Sequence, residues 1–247
     1  MTQAQQLAEK TLQSLIEWDS LEEIKTPGTD CFHPLVQAVS MAEIGKVRVF
    51  HGRKIKKMVN VALAIPPAGL DSHMIFAFTA PDSPIPHFTL DSVAAGPTLA
   101  YHLDLIPKVD LGADLVYLNT CYKPLIATYQ EMDKMDGFTP AHLSPLQLAV
   151  MSPLMLAKRS TQEAFPKVAH AMEGYLAHWQ GLFDLENMQP GSEEFAEYDF
   201  AKRDARNREI LFSPEIDPVW GQIEAFIGAE SGSLMRRVLK NIECEVL

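Results

Sequence analysis

The chain reads as an α/β protein, a mainly antiparallel sheet covered by helices, and three features predict this. Strand-like segments follow one another between residues 46 and 106, ahead of the helical part, rather than alternating with helices as a parallel βαβ fold requires. Helical periodicity brackets them, at the N-terminus and through the C-terminal third. Composition shows no boundary, repeat or low-complexity tract, so residues 1–247 are expected to form one domain, and 247 residues with 47% hydrophobic content suffice for a full core.

Residues 4–24 place Leu7, Leu12, Leu15, Ile16 and Leu21 at helical spacing. Lys46–Phe50 and Met58–Ile65 read as strands around a basic turn, and Pro66-Pro67-Ala68-Gly69 breaks the chain before a strand at His73–Thr79. A hairpin follows: Pro86-His87-Phe88-Thr89-Leu90-Asp91-Ser92, a turn at Ala95-Gly96-Pro97, then Leu99-Ala100-Tyr101-His102-Leu103-Asp104-Leu105-Ile106-Pro107. The spacing predicts helix over Leu115–Met135, a strand or two within Leu146–Arg159, and a long amphipathic helix over Gln162–Leu185. Phe195–Phe212 and Ile216–Leu239 complete the helical third, the latter interrupted at Gly228.

Strand alternation puts His87, Thr89, Asp91 and Val93 on one face of the hairpin and Phe88, Leu90 and Ser92 on the other. Asp91 is either an edge acid facing water or a carboxylate inside an apolar face. In the second case burial costs several kcal/mol unless the acid is paired or protonated, and a protonated buried acid suits proton-coupled chemistry.

Composition excludes several classes. A formal net charge of -11 argues against nonspecific nucleic-acid binding. Cys31, Cys121 and Cys244 are odd in number and match no zinc or disulfide framework, and the N-terminus lacks a signal-peptide pattern, so a reduced, cytoplasmic setting is expected, with no membrane span. No nucleotide-binding glycine motif, phosphate loop, nucleophile elbow or zinc-protease motif occurs. His170 and His178 stand two helical turns apart, and no metal site is expected.

Pro-x-Phe-x-x-Asp on one strand and Leu-Asp-Leu-x-Pro on the next resembles the ferredoxin-dependent bilin reductases, whose superfamily includes the red chlorophyll catabolite reductases. Asp217-Pro218 followed by Phe226-Ile227-Gly228-Ala229-Glu230 and the helix-like Ser233–Leu239 is similar to a C-terminal element of that family. Ser144-Pro145 and Ser152-Pro153 resemble a paired Ser-Pro segment of the chlorophyll catabolite branch. The resemblance covers the last two-thirds of the chain. It implies a three-layer α/β/α sandwich with a central, mainly antiparallel sheet, a monomer. The implied activity is two-electron reduction of a linear tetrapyrrole such as biliverdin, with electrons passing from ferredoxin to the pigment without a bound cofactor. Red-chlorophyll-catabolite-like reduction and noncatalytic pigment binding are the alternatives.

The resemblance implies Asp91 as first proton donor and Asp217 as the opposing acid, although Asp217 before Pro218 also suits a helix N-cap. His73 falls near a family histidine that shares a proton network with the acid, and His87, on the Asp91 face, suits the same role. Arg159, Arg203, Arg206 and Thr98 are candidates for the pigment's propionates, and Trp220 for stacking on a pyrrole ring. A glutamate of the phycocyanobilin-forming branch would fall near Asn60 or Val61, where this chain has no acid, which leans toward a single two-electron reduction. An acidic ferredoxin needs a local basic patch, and Arg53-Lys54-Ile55-Lys56-Lys57 and Arg236-Arg237 with Lys240 are the two densest.

Overall fold

The structure, a computed structural model, describes residues 1–243. In chain order it comprises α1 (Gln3–Asp19), β1 (Glu22–Ile24), β2 (His33–Val36), β3 (Glu43–His51), β4 (Ile55–Ile65), β5 (Leu70–Thr79), β6 (His87–Ala95) and β7 (Thr98–Ile106). There follow α2 (Leu115–Cys121), α3 (Ile126–Lys134), β8 (Phe138–Pro140), α4 (Pro145–Leu148), β9 (Leu156–Ser160), α5 (Val168–Leu182), α6 (Phe200–Leu211), α7 (Val219–Ile227) and α8 (Ala229–Lys240).

One nine-stranded sheet runs in the order β1-β3-β4-β5-β6-β7-β9-β8, with β2 also on β3, and every pairing is antiparallel. Each central strand is buried on both faces, so its alternate residues feed two cores. Phe88, Leu90, Leu103 and Leu105 join α1, α2 and α5 in one core, where Trp179 packs on Phe88 and donates to the Pro86 carbonyl at 2.7 Å. Val59, Val61, Met74 and Phe78 join Phe212, α7 and α8 in the other. The result is the expected three-layer sandwich around an antiparallel sheet.

The hairpin alternation holds: Ser92, on the α1 side, donates to the Ala4 carbonyl at 2.8 Å, and Gly96 takes a positive φ of 58° in the turn. Local departures have local causes. The first helix stops at Asp19, not at residue 24, because Ser20 turns left-handed (φ 50°) and residues 22–24 gain more as an edge strand on β3. Asp19 then accepts from the backbone N–H groups of Lys54 (3.0 Å) and Ile55 (2.8 Å), tying α1 to the basic turn. Pro124 and Pro166 cannot donate within a helix, so 123–125 and 165–167 are 3-10 turns and the longer helices expected there are divided. Helix α6 begins at Phe200 because Asp199 caps it, accepting from Lys202 N–H at 3.0 Å. Within 146–159 only β9 is a strand; Ser144 and Gln147 form a capping box that makes α4 helical. Gly228 separates α7 from α8 as expected.

Cys31 and Cys121 are buried and free, and Cys244 lies outside the described residues. No described helix is long and apolar enough to cross a membrane. At Gly45, on β3, a Cβ would stand 2.0 Å from the Ala62 carbonyl oxygen. Gly45→Ala is therefore expected to destabilise the protein by about 1–3 kcal/mol, read as a lower urea midpoint at unchanged slope.

Candidate functional site

A cavity of about 230 Å³, open to solvent, lies between the sheet and the C-terminal helices. Its floor is the outward face of the hairpin and β5: Met74, Phe76, Thr89, Asp91, Val93 and His102. Phe212, Asp217 and Trp220 form the opposite wall, and Leu143, Gln147 and Met151 form a roof. The walls are mainly aromatic and aliphatic with a few convergent polar groups, the usual make-up of an organic-ligand site.

Asp91 lies on this face as the alternation requires, half-buried, and it is not alone. In the β6–β7 register it stands opposite His102, and His102 Nδ1 is 3.5 Å from Asp91 Oδ2. Burial by itself would lower the His102 pKa, but the hydrogen bond to Asp91 and the charges of Asp91, Asp104 and Asp217 outweigh it and hold the pKa above its ordinary value. Asp91 Oδ1, His102 Nε2 and Thr89 Oγ1 are buried without a hydrogen-bond partner. Leaving such atoms unpaired costs about 1–3 kcal/mol each, so they mark where a polar ligand completes the site.

Asp217 faces this pair across the cavity. Burial raises its pKa, and the Asp91 charge adds to the rise against a hydrogen bond from Val219 N–H. That N–H meets Asp217 Oδ1 at 3.0 Å. The capping expected of this aspartate and its place at the cavity therefore coexist, one residue farther from the helix than expected, since Pro218 itself is the cap position of α7. Trp220 lies in the wall, its Nε1 donating to the Leu211 carbonyl at 3.1 Å and its ring edge-on to Phe212.

His73 is a correction. It pairs with Ser92 and so points to the α1 side of the sheet, away from the cavity, where its Nε2 lies 2.8 Å from Asp71 Oδ1. Asp71 in turn accepts from the hydroxyl of Thr2, the cap of α1. Even spacing from Asp91 does not settle the face when a hairpin turn intervenes; the register, which puts Met74 and not His73 opposite Asp91, does. The histidine partnering the acid is His102, one strand downstream, which sequence reasoning missed although the Ala95-Gly96-Pro97 turn suffices to pair positions 91 and 102.

His87 is in the cavity wall, but both ring nitrogens are engaged. Thr79 N–H donates to Nδ1 at 3.1 Å, and Nε2 stands 2.6 Å from Asp204 Oδ1. Asp204, wholly buried, is also held by Arg208 Nε (2.9 Å) and Nη2 (2.6 Å) and by Lys108 Nζ at 3.4 Å. Burial and the nearby Lys108 charge push the His87 pKa down to about 4, despite Asp204. Burial alone would raise the Asp204 pKa; the His87 hydrogen bond and three cationic or polar neighbours hold it well below the carboxylate range instead. His87 is thus a neutral strut between β6 and α6 and not a free proton donor.

The proposed propionate contacts lie outside the cavity lining. Thr98 and Arg159 are exposed beside one another in a surface groove at the hairpin end, with Arg159 opposite Ala100 of the cavity floor. Arg203 and Arg206 lie in a separate groove on α6. Among the described residues no cluster of three or more metal-ligating side chains occurs.

The buried cluster generates two expectations. A histidine that titrates near 6.5 when unfolded and about 4 when folded stabilises the fold fully above pH 6.5, and that stability is lost as pH falls from 6.5 toward 4. Denaturant titrations should show a loss of roughly 3 kcal/mol from this source, absent in His87→Gln. Asp204→Asn should cost about 3–5 kcal/mol, because Arg208 and Lys108 then remain buried beside a neutral group, measured at pH 7.

No protein-family model matches the chain, and no curated protein matches it in sequence. Among solved structures it is similar to phytochromobilin synthase from tomato, crystallised in complex with biliverdin, with a TM-score of 0.72 and 18% identity over 98% of this chain and 84% of that one. At that identity the likeness is one of fold: this chain has the fold of phytochromobilin synthase from tomato over almost its whole length.

Proposed function

We propose that the protein is a reductase of a linear tetrapyrrole of the biliverdin type, with electrons supplied singly by reduced ferredoxin. The observation that carries this is the unpaired polar set, Asp91 Oδ1, His102 Nε2 and Thr89 Oγ1, at the floor of an otherwise apolar cavity. A bilin offers complementary groups, pyrrole N–H donors and lactam oxygens along an extended π-system that Phe76, Phe212 and Trp220 can flank. The fold shared with a protein solved on biliverdin supports the same reading.

Reduction of one pigment double bond consumes two electrons and two protons. A neutral bilin is a poor one-electron acceptor, so a proton delivered to a lactam oxygen or pyrrole nitrogen eases the first electron transfer. The His102–Asp91 pair holds that proton: His102 carries it with its pKa raised, and the Asp91 carboxylate orients the ring. Asp217, its pKa raised by burial, supplies the second proton from the opposite wall after the second electron arrives. Each ferredoxin encounter oxidises one donor by one electron.

Electron entry follows the charges left exposed. Most cations of the basic clusters conspicuous in the sequence are held by partners: Lys54 pairs with Asp184 (3.5 Å), Lys56 with Glu243 (3.7 Å), Lys240 with Glu209 (2.7 Å) and Arg236 with Glu224, while Lys57 donates to the Val238 carbonyl at 2.7 Å; Arg53 and Arg237 stay exposed, one at each cluster. Lys202, Arg203 and Arg206 are exposed on α6 and form no ion pair among the described residues. They rim a groove whose wall residues Met151 and Leu211 also line the cavity. An acidic donor protein seated there would be separated from the pigment by little more than those side chains.

Titration with biliverdin should give a saturable absorbance shift, and anaerobic addition of reduced ferredoxin should convert the bound pigment; absence of any shift would overturn the reading. Asp91→Asn should keep pigment binding and lower turnover by about 10²–10⁴-fold. It should also move the alkaline limb of the pH profile down, since His102 loses the partner that raises its pKa. Charge reversal in K202E/R203E/R206E should lower kcat/KM for ferredoxin about tenfold or more at low salt and leave the biliverdin titration unchanged.

A further inference from the structure

We infer that Asp104 is a positioning residue that fixes the roof of the cavity, residues 141–155, through Ser152. Asp104 is on β7, two residues beyond His102 and on the same face, and it is wholly buried. Its carboxylate accepts the backbone N–H of Leu105 at 2.8 Å, the backbone N–H of Ser152 at 2.8 Å and the Ser152 hydroxyl. Two of these donors come from one roof residue, so the sheet grips the roof through a charge-assisted pair of hydrogen bonds.

The rest of the roof is built around that grip. Ser152 Oγ also accepts from Leu154 N–H at 3.2 Å, and the Leu154 carbonyl accepts the Tyr175 hydroxyl of α5 at 2.6 Å, which anchors the outgoing stem. The incoming stem is tied by Ala141 N–H to the Ala157 carbonyl at 2.9 Å. Between the stems, Ser144 and Gln147 cap α4, and Leu143, Gln147 and Met151 reach the cavity, whose lining Gln147 shares with Asp217. The two Ser-Pro units therefore divide the work: Ser144-Pro145 starts the roof helix, and Ser152-Pro153 latches it to the sheet. A carboxylate buried at 0% exposure with no lysine or arginine against it is costly for packing alone. Its three donors explain it as a fixed acceptor, whose output is the placement of Leu143, Gln147 and Met151 over the cavity.

The kinetic arm of the test rests on the pigment-reductase reading; the structural arm does not. Hydrogen–deuterium exchange on the pigment-free full chain should show Asp104→Asn and Ser152→Ala raising exchange in 141–155 by about tenfold or more, with β4–β6 unchanged and Ser152→Thr restoring protection. In turnover, both variants should raise KM for biliverdin more than they lower kcat. Roof exchange equal to that of the parent in both variants would overturn the inference, as would a rise of the same size throughout the sheet, which marks Asp104 as ordinary core. Faster roof exchange in a protein that reduces no biliverdin would sustain the latch and remove the pigment reading instead.

Discussion

A sheet covered on both faces forces every central strand to satisfy two environments at once, and the site is a consequence of that constraint. Along β6 the residues Phe88 and Leu90 are committed to the core beneath α1 and α5, which leaves Thr89, Asp91 and Val93 for the other side. Helices α7 and α8 cover that second face over β3 and β4 with Val59 and Val61, but over part of β5 and over β6 and β7 they stand off and leave the cavity. Polar groups are tolerated there because each has a partner or a ligand-facing role. The same strand thus supplies core packing with one set of side chains and chemistry with the next.

Two solutions to burying charge stand side by side on this face. At the His87 end, Asp204 is surrounded by Arg208, Lys108 and His87 at 2.6–3.4 Å, and the cluster joins α6 to the sheet. At the Asp91 end the carboxylate has one partner at 3.5 Å and one oxygen with none. Several charges packed around one carboxylate rigidify; a single long contact leaves proton-carrying atoms available to a ligand. That contrast separates His87 from His102 as candidates for chemistry, although both line the same cavity.

Much of the architecture was legible in the chain. The hairpin, its two faces and the helix break at Gly228 follow from period-two alternation and from turn residues, which act locally. Asp91, Asp217 and Trp220, selected by resemblance, do converge on one cavity. His73 did not, because its face depends on how β5 registers against β6, and a one-residue difference sends a side chain through the sheet. Charge pairing is hidden from the sequence for a related reason: density counts charges, whereas Asp184, Glu243 and Glu209, distant in the chain, hold Lys54, Lys56 and Lys240 in ion pairs.

The sequence by itself determined the two-faced antiparallel sheet, its helical cover and the acid on the hairpin, since these depend on interactions between near neighbours along the chain. Only the tertiary structure decided that His102 rather than His73 pairs with Asp91, that Asp204 closes off His87, and that Asp104 and Ser152 bind the roof. Each of these contacts joins residues whose proximity depends on strand register or on helix docking across the sheet, and neither is encoded in local spacing.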